Sequence, residues 1–342
     1  MTFLLEARGV TKIFSSRGGI GKKKVATVAL DGASIAVNVQ PATVISIAGE
    51  SGSGKTTLSR LILGLISPTK GDIYYKGKPI SGMTHAERLT YRREVQAIFQ
   101  DPFEVYNPFY KVDHALYMLL NSFEPSMSKA QARARIEAVL ATVGLRADET
   151  LGRYPHQLSG GQRQRVMVAR SLLLNPSIIV ADEPVSMVDA SLRATILESL
   201  LKAHMELGAS LIYITHDLTT AYQVSQTILM LYQGSMVELG NVDKIIKNPR
   251  HPYTQLLVSS IPLPDPKKRW GKGTVRERLA KAPEGVNLGC KFAERCPHVM
   301  SQCWQAPPPL YGLDRDRAVA CYLYDKSPAL NQAEVTSLYT RS

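Results

Sequence analysis

Residues 49–57 read Gly-Glu-Ser-Gly-Ser-Gly-Lys-Thr-Thr, with Gly49 set four residues ahead of Gly54-Lys55-Thr56. That spacing suits a loop that wraps a phosphate. Glycines let backbone N–H groups curl around anionic oxygens without side chains intervening. Gly49, Ser51, Gly52, Ser53, Gly54, Lys55, Thr56 and Thr57 are therefore candidate phosphate-binding residues. Lys55 would reach the β- and γ-phosphates, and the Thr56 hydroxyl would ligate magnesium. A second candidate lies at residues 178–184, Ile-Ile-Val-Ala-Asp-Glu-Pro. There an apolar run ends in two carboxylates, Asp182 to hold magnesium and Glu183 to accept a proton from an attacking water. Between the two, Ser159, Gly160 and Gly161 stand before a helical pattern, which makes a second anion-binding helix start.

The elements that must position these residues follow from periodicity. Leu-Leu-Glu-Ala-Arg-Gly-Val and Ala-Ser-Ile-Ala-Val-Asn-Val read as strands within residues 3–48, and residues 43–49 read as a buried strand leading into the phosphate loop. The Gly-rich basic stretch 15–24 reads as a loop, either solvated or in contact with a membrane or partner. A helix is expected from Lys55 to Ile66, then a turn over 67–80 punctuated by Gly and Pro. Ser128 should cap a helix over 128–145, and residues 162–174 and the segment ending at Gly208 should also be helical. Residues 178–182 and 210–215 read as buried strands, and 227–239 as a hairpin turning at Gln233-Gly234. Strands that alternate with helices predict an α/β fold with a mostly parallel sheet covered on both faces.

Composition bounds the rest. Of the 342 residues, 44% are hydrophobic and 20% charged, which supports a full core and argues against disorder. A net charge of +12 suggests an acidic partner such as nucleotide, nucleic acid or anionic lipid, or only a soluble basic surface. The start, Met-Thr-Phe-Leu-Leu-Glu, does not read as a secretion signal, and no run reaches the roughly 18 apolar residues that cross a bilayer. The chain should be soluble or attached to a membrane through partners.

From about Ile261 the pattern changes to Pro-rich segments without regular periodicity. All four cysteines, Cys290, Cys296, Cys303 and Cys321, lie here. Without an export signal, such clustering favours metal or cofactor ligation over disulfides. None of the spacings is the short Cys-x-x-Cys of zinc ribbons or bacterial ferredoxins. His298 could be a substitute ligand or a surface histidine.

Residues 158–165, Leu-Ser-Gly-Gly-Gln-Arg-Gln-Arg, resemble the signature of the ABC ATPases. The resemblance implies a P-loop NTPase domain with an antiparallel β subdomain and a helical subdomain. It also implies that Ser159, Gly160, Gly161 and Gln162 act on the ATP of a facing subunit. Other motifs fall at matching positions. Gln100 resembles the glutamine that approaches magnesium and the attacking water, and His216 the histidine that contacts the γ-phosphate. Asp189 resembles the aspartate of the dimer seam, although Met187-Val188 replaces the commoner Ala-Leu. Phe14 resembles the aromatic that stacks on adenine.

Residues 100–108 and 248–266 are similar to segments of oligopeptide and dipeptide importers. This likeness implies a nucleotide-binding domain over 1–262, with its helical subdomain at about 101–157, and a Cys-containing region, small and irregular, over 263–342. It further implies Mg2+-dependent ATP hydrolysis driving solute import and a [4Fe–4S] cluster on the four cysteines, with structural zinc or free thiols as alternatives. The implied partners are a homologous, non-identical ATPase, two membrane permeases and an extracytoplasmic solute-binding protein, at the cytoplasmic face of the inner membrane. Nickel complexes or oligosaccharides are alternative cargo. A nucleic-acid- or ribosome-associated ABC ATPase is the competing class; such proteins usually carry two cassettes or long coiled-coil insertions, so no nucleic acid is expected.

Overall fold

The computed structural model describes residues 3–16, 25–101, 106–186, 188–261 and 289–340. The chain forms two compact units: Met1–Val39, Ile45–Ser81 and Thr215–Ser342 make the first, and Gln40–Val44 with Gly82–Ile214 the second. Residues 17–24 of the basic loop expected over 15–24, and part of the 100–108 and 248–266 segments, fall outside the described residues, whereas Ser15 and Ser16 belong to a strand.

In the first unit, two 14-residue strands, β1 (Phe3–Ser16) and β2 (Val25–Asn38), pair antiparallel. Alternation drives this pairing, since Leu5, Ala7, Ile35 and Val37 are buried. β4 (Lys70–Tyr75) joins the other edge of β1, and β5 (Lys78–Pro79) follows it. The sequence reading has only a turn over 67–80. The structure has a hairpin there, closed at Lys76 and Gly77, whose φ values are 48° and 79°. Two consecutive left-handed residues match the twist of paired strands, and that is why the punctuation marks a hairpin rather than a loop.

A second sheet begins in this unit with β3 (Val44–Ala48), which pairs parallel with β9 (Thr227–Tyr232). β9 and β10 (Ser235–Asn241) form the expected hairpin, with Gln233 and Gly234 at φ 45° and 81°. β10 then pairs antiparallel with β12 (Arg317–Val319), and β12 with β11 (Tyr311–Asp314). The order here is thus β11, β12, β10, β9, β3. The C-terminal region is therefore less irregular than its composition predicts. Strands of three or four residues are too short to show a period, so only the pairing reveals them.

A buried ion pair pins this extension. Arg317 and Glu238 are 2% and 0% exposed, with Nη2 and Oε1 2.6 Å apart. Glu238 also accepts the N–H groups of Arg250 and His251, each at 3.0 Å. His251 caps the helix Pro252–Ser259 through Nδ1, which accepts the Tyr253 N–H. Burial pushes this imidazole down to about 3, so it is neutral. Tyr232, Tyr253, Phe292 and Met230 share the adjoining apolar core.

In the second unit, β6 (Val95–Ile98), β7 (Ile178–Asp182) and β8 (Ser210–Thr215) run parallel. Every residue of β7 is buried, as its continuous apolar run requires. The helix Lys129–Thr142 starts at Ser128, whose side chain accepts from Gln131 N–H in a capping box. Ala132, Ile136 and Leu140 make its buried face at four-residue spacing. The helix Val112–Phe123 buries Val112, Leu116 and Leu120 in the same manner, although the sequence reading resolves no helix there. Among the described residues, no helix is long and apolar enough to cross a membrane.

Candidate functional site

The phosphate loop belongs to the first unit and runs between β3 and the helix Lys55–Ile62. Two of its glycines are dictated by close approach. A Cβ on Gly49, at φ 153°, would lie 2.2 Å from the Leu231 carbonyl oxygen. One on Gly54, at φ 102°, would lie 2.6 Å from that of Ala29. The hairpin turn holds the loop from below, where Gly234 N–H donates to Ser53 O at 2.8 Å.

Lys55 is 6% exposed, and its ammonium donates to the carbonyls of Gly49 at 2.7 Å and Glu50 at 2.9 Å. A cation so placed draws anions to the loop, where helix-start amides already favour negative charge. The buried Ser53 hydroxyl has no hydrogen-bond partner among the described residues. An anionic oxygen would satisfy it. Ser51, Gly52 and Thr56 are exposed and Thr57 half-buried, so the Thr56 hydroxyl is open to an incoming group. Phe14 is 45% exposed near the end of β1, with Lys12 Nζ 5.3 Å from its ring centroid. His216 follows the last strand residue, Thr215, and its side chain is exposed. Its neighbour Asp217 caps the next helix by accepting the Thr219 N–H at 2.8 Å. Sequence reasoning missed Tyr253, whose hydroxyl accepts the Glu50 N–H at 2.7 Å. No spacing rule links residues so far apart.

The carboxylates belong to the second unit. Asp182, 7% exposed, ends β7. Glu183 turns out of the strand at φ 47°, a left-handed conformation that costs a side-chain-bearing residue energy. Its N–H donates to Ile214 O at 2.8 Å, and its Oε2 accepts from Gln100 Nε2 at 2.9 Å. Gln100 and Glu183 are thus brought together.

The Ser-Gly-Gly segment opens the 13-residue helix Gly160–Leu172. Ser159 Oγ accepts from Gln162 N–H at 3.2 Å, and Gln162 Oε1 accepts from Ser159 N–H at 2.9 Å. A Cβ on Gly161 would meet Leu192 Cδ1 at 2.7 Å, so that glycine seats the helix against its neighbour. Asp189 stands at the N-cap of the helix Ala190–Leu207 and accepts from Leu192 N–H at 2.9 Å through its carbonyl. Met187 lies outside the described residues.

All four cysteines are free thiols, and all four line one space together with His298 and Phe292. The space is nearly filled, with a cavity of only about 10 Å³. Burial pushes the Cys290 thiol up to about 11 and Cys321 up to about 12, and Cys296 also upward. Thiolates in such surroundings need a bound cation. Yet no three His, Cys, Asp or Glu side chains among the described residues lie close enough for one metal ion. Zinc would draw its sulfurs to about 3.8 Å from one another, given bonds of about 2.3 Å.

Two family models match: "ABC transporter" over residues 33–186, and "Oligopeptide/dipeptide transporter, C-terminal region" over 237–303. The oligopeptide transport ATP-binding protein OppF of Escherichia coli is 38% identical over 87% of this chain and 88% of its own length. The dipeptide transport ATP-binding protein DppF of the same organism is 37% identical, covering 94% and 95%. The oligopeptide transport ATP-binding protein AppF of Bacillus subtilis is also 37% identical, covering 94% and 97%. Among solved structures, the ATP-binding cassette MJ0796, dimeric and bound to ADP and Pi, superposes with TM-score 0.61 at 28% identity, covering 70% of this chain and 98% of its own.

Proposed function

The chain belongs to the ATP-binding proteins of ABC transporters of the oligopeptide/dipeptide type, and we propose that it hydrolyses ATP to drive import of a peptide through a membrane permease. One observation carries the reading: a loop whose glycines are forced by the Leu231 and Ala29 carbonyls, with Lys55 drawn in beneath it. The glycine cradle, the buried Ser53 hydroxyl and the exposed Thr56 hydroxyl fit a magnesium–triphosphate ligand.

The chemistry is positioning plus electrostatics. Gly49, Ser51, Gly52, Ser53, Gly54 and Thr57 hold the phosphates, and Phe14 stacks on the base. Lys55 neutralises charge on the γ-phosphoryl oxygens as water attacks in line. Glu183 accepts the water proton, its carboxylate held by the Gln100 amide. His216 fixes the γ-phosphate. Thr56, Gln100 and Asp182 would hold magnesium, which would supply neutralisation of phosphate charge. Ser159, Gly160, Gly161, Gln162 and Asp189 serve the nucleotide of the facing subunit. That subunit is a homologous ATPase, and two permeases and an extracytoplasmic binding protein complete the transporter. The chain works at the cytoplasmic face of the membrane, with a nucleotide-binding domain over 1–262 and a cysteine region over 263–342. The test is uptake of a labelled tripeptide into proteoliposomes that hold the whole transporter. ATP-dependent uptake lost on Lys55→Ala supports the reading; uptake indifferent to that substitution contradicts it.

The four cysteines hold a [4Fe–4S] cluster. Support comes from four thiols that line one space. Bound there, the cluster supplies the positive charge that buried thiolates need, in a structural role. Iron and acid-labile sulfide in equal amounts are expected in anaerobically purified protein. Zinc alone in a colourless sample overturns the assignment.

A further inference from the structure

Glu50 sits inside the phosphate loop, yet its carboxylate is taken by a residue from the cysteine region. Arg295 Nη1 donates to Glu50 Oε2 and Nη2 to Oε1, each at 3.0 Å. This is the two-bond fork that guanidinium makes on a carboxylate. Arg295 itself is well placed. Its guanidinium lies 5.5 Å from the Phe292 ring centroid and 5.7 Å from that of Tyr232, and Nη1 also donates to the Tyr232 hydroxyl at 3.3 Å. The Phe292 ring is 2% exposed and meets Tyr232 edge-on. The short turn that carries Arg295 is closed by Ala293 N–H to Cys290 O and Arg295 N–H to Phe292 O, each at 3.0 Å.

Glu50 is therefore fixed at every polar group. Tyr253 takes its amide, Lys55 and the Ser53 amide take its carbonyl, and Arg295 takes its carboxylate. The carboxylate poses an electrostatic problem that the other two groups do not. A loop built to receive a polyanion carries a negative side chain, and like charges at short range oppose binding. Without its partner, that side chain would also lose the contact that directs it to the cysteine-bearing turn.

We propose that Arg295 is a positioning residue of the nucleotide site, neutralising Glu50 and holding its carboxylate against the cysteine-bearing turn so that the loop accepts triphosphate. The inference rests on the ATPase reading given above, and the Arg295–Glu50 pair makes the turn before Cys296 part of the ATP machinery.

Calorimetric titration of the full chain with magnesium and a non-hydrolysable ATP analogue tests it, with melting temperatures as the check on folding. Arg295→Met should lower affinity about tenfold, a change of about 1.4 kcal/mol. Glu50→Gln should cost no more than about threefold, and the double variant should recover to within about threefold of wild type, because removing the unpaired charge relieves the repulsion. A merely structural role for Arg295 predicts no such recovery. Wild-type affinity in R295M, or a double variant as weak as R295M, overturns the inference. Should R295M melt early, R295K keeps the charge without the fork: a loss of about threefold supports the inference, and unchanged affinity overturns it. Binding by wild type that is lost in Lys55→Ala but unchanged in R295M removes the inference alone. Wild-type protein that takes up no analogue overturns the ATPase reading and the inference with it.

Discussion

Glu183 holds a left-handed backbone that no glycine relieves, with Gln100 on its carboxylate. Strain of that kind persists where surrounding structure imposes it, here through the Glu183 N–H bond to Ile214 O. If Glu183 takes the water proton, as proposed, its loss separates binding from turnover. Glu183→Gln should therefore keep Mg-ATP affinity within about twofold while the rate of hydrolysis falls by about 10²–10⁴. Equilibrium binding and steady-state phosphate release, measured on the same preparation, read the two effects apart; equal losses in both would contradict a proton-acceptor role. Lys55, Asp182 and Glu183 could be singled out in the sequence because the motifs that carry them have fixed local spacing. The Glu183 backbone and the Tyr253–Glu50 bond could not, since one is a conformation and the other joins residues 203 positions apart.

The phosphate loop can form only because β3, the β9–β10 hairpin and the start of the next helix leave no room for a side chain at two points. Gly49→Ala would set a Cβ 2.2 Å from the Leu231 carbonyl oxygen, an atom of backbone that cannot yield cheaply. Loss of more than about 1 kcal/mol of stability is expected, together with weakened nucleotide binding. Thermal melting with and without Mg-ATP reads both, and a G49A variant that melts and binds as wild type would contradict the close-approach argument.

The strand extension makes a second prediction at this scale. Arg317→Met leaves Glu238 buried without its ion partner and should cost about 3–5 kcal/mol, whereas Arg317→Met with Glu238→Leu should recover much of it. Denaturant unfolding of both variants decides; equal loss in both would mean that the pair contributes nothing specific. Ser128 announced its helix as an N-cap, to which the structure adds the reciprocal contact of Gln131. β11 and β12 gave no such signal, because their partners lie in β10, far back along the chain.

Across the molecule, one fact of organisation recurs: the C-terminal third returns to the phosphate loop. Residues 215–342 share a compact unit with the loop itself, and Tyr232, Tyr253 and Phe292 form one aromatic core beneath it. From the sequence, residues 263–342 stand apart on composition. Composition registers the loss of periodicity, but it cannot register a fold that closes over a distance. If the cysteine site and the loop share this core, loss of bound iron should lower the melting temperature of the nucleotide-free chain by several degrees, where about 1 kcal/mol corresponds to roughly 2–4 °C at larger domain sizes. Scanning calorimetry before and after iron removal by chelation under reducing conditions reads this. An unchanged melting temperature would separate the two sites.

On the reading proposed above, Lys55 and its glycine cradle bind the triphosphate that this chain cleaves. Phosphate release from Mg-ATP by the full chain assembled with its permeases tests it most directly. Magnesium-dependent release by wild type and almost none with Lys55→Ala are expected. Release at the same rate from both proteins, or none from a well-folded wild-type assembly, would contradict it.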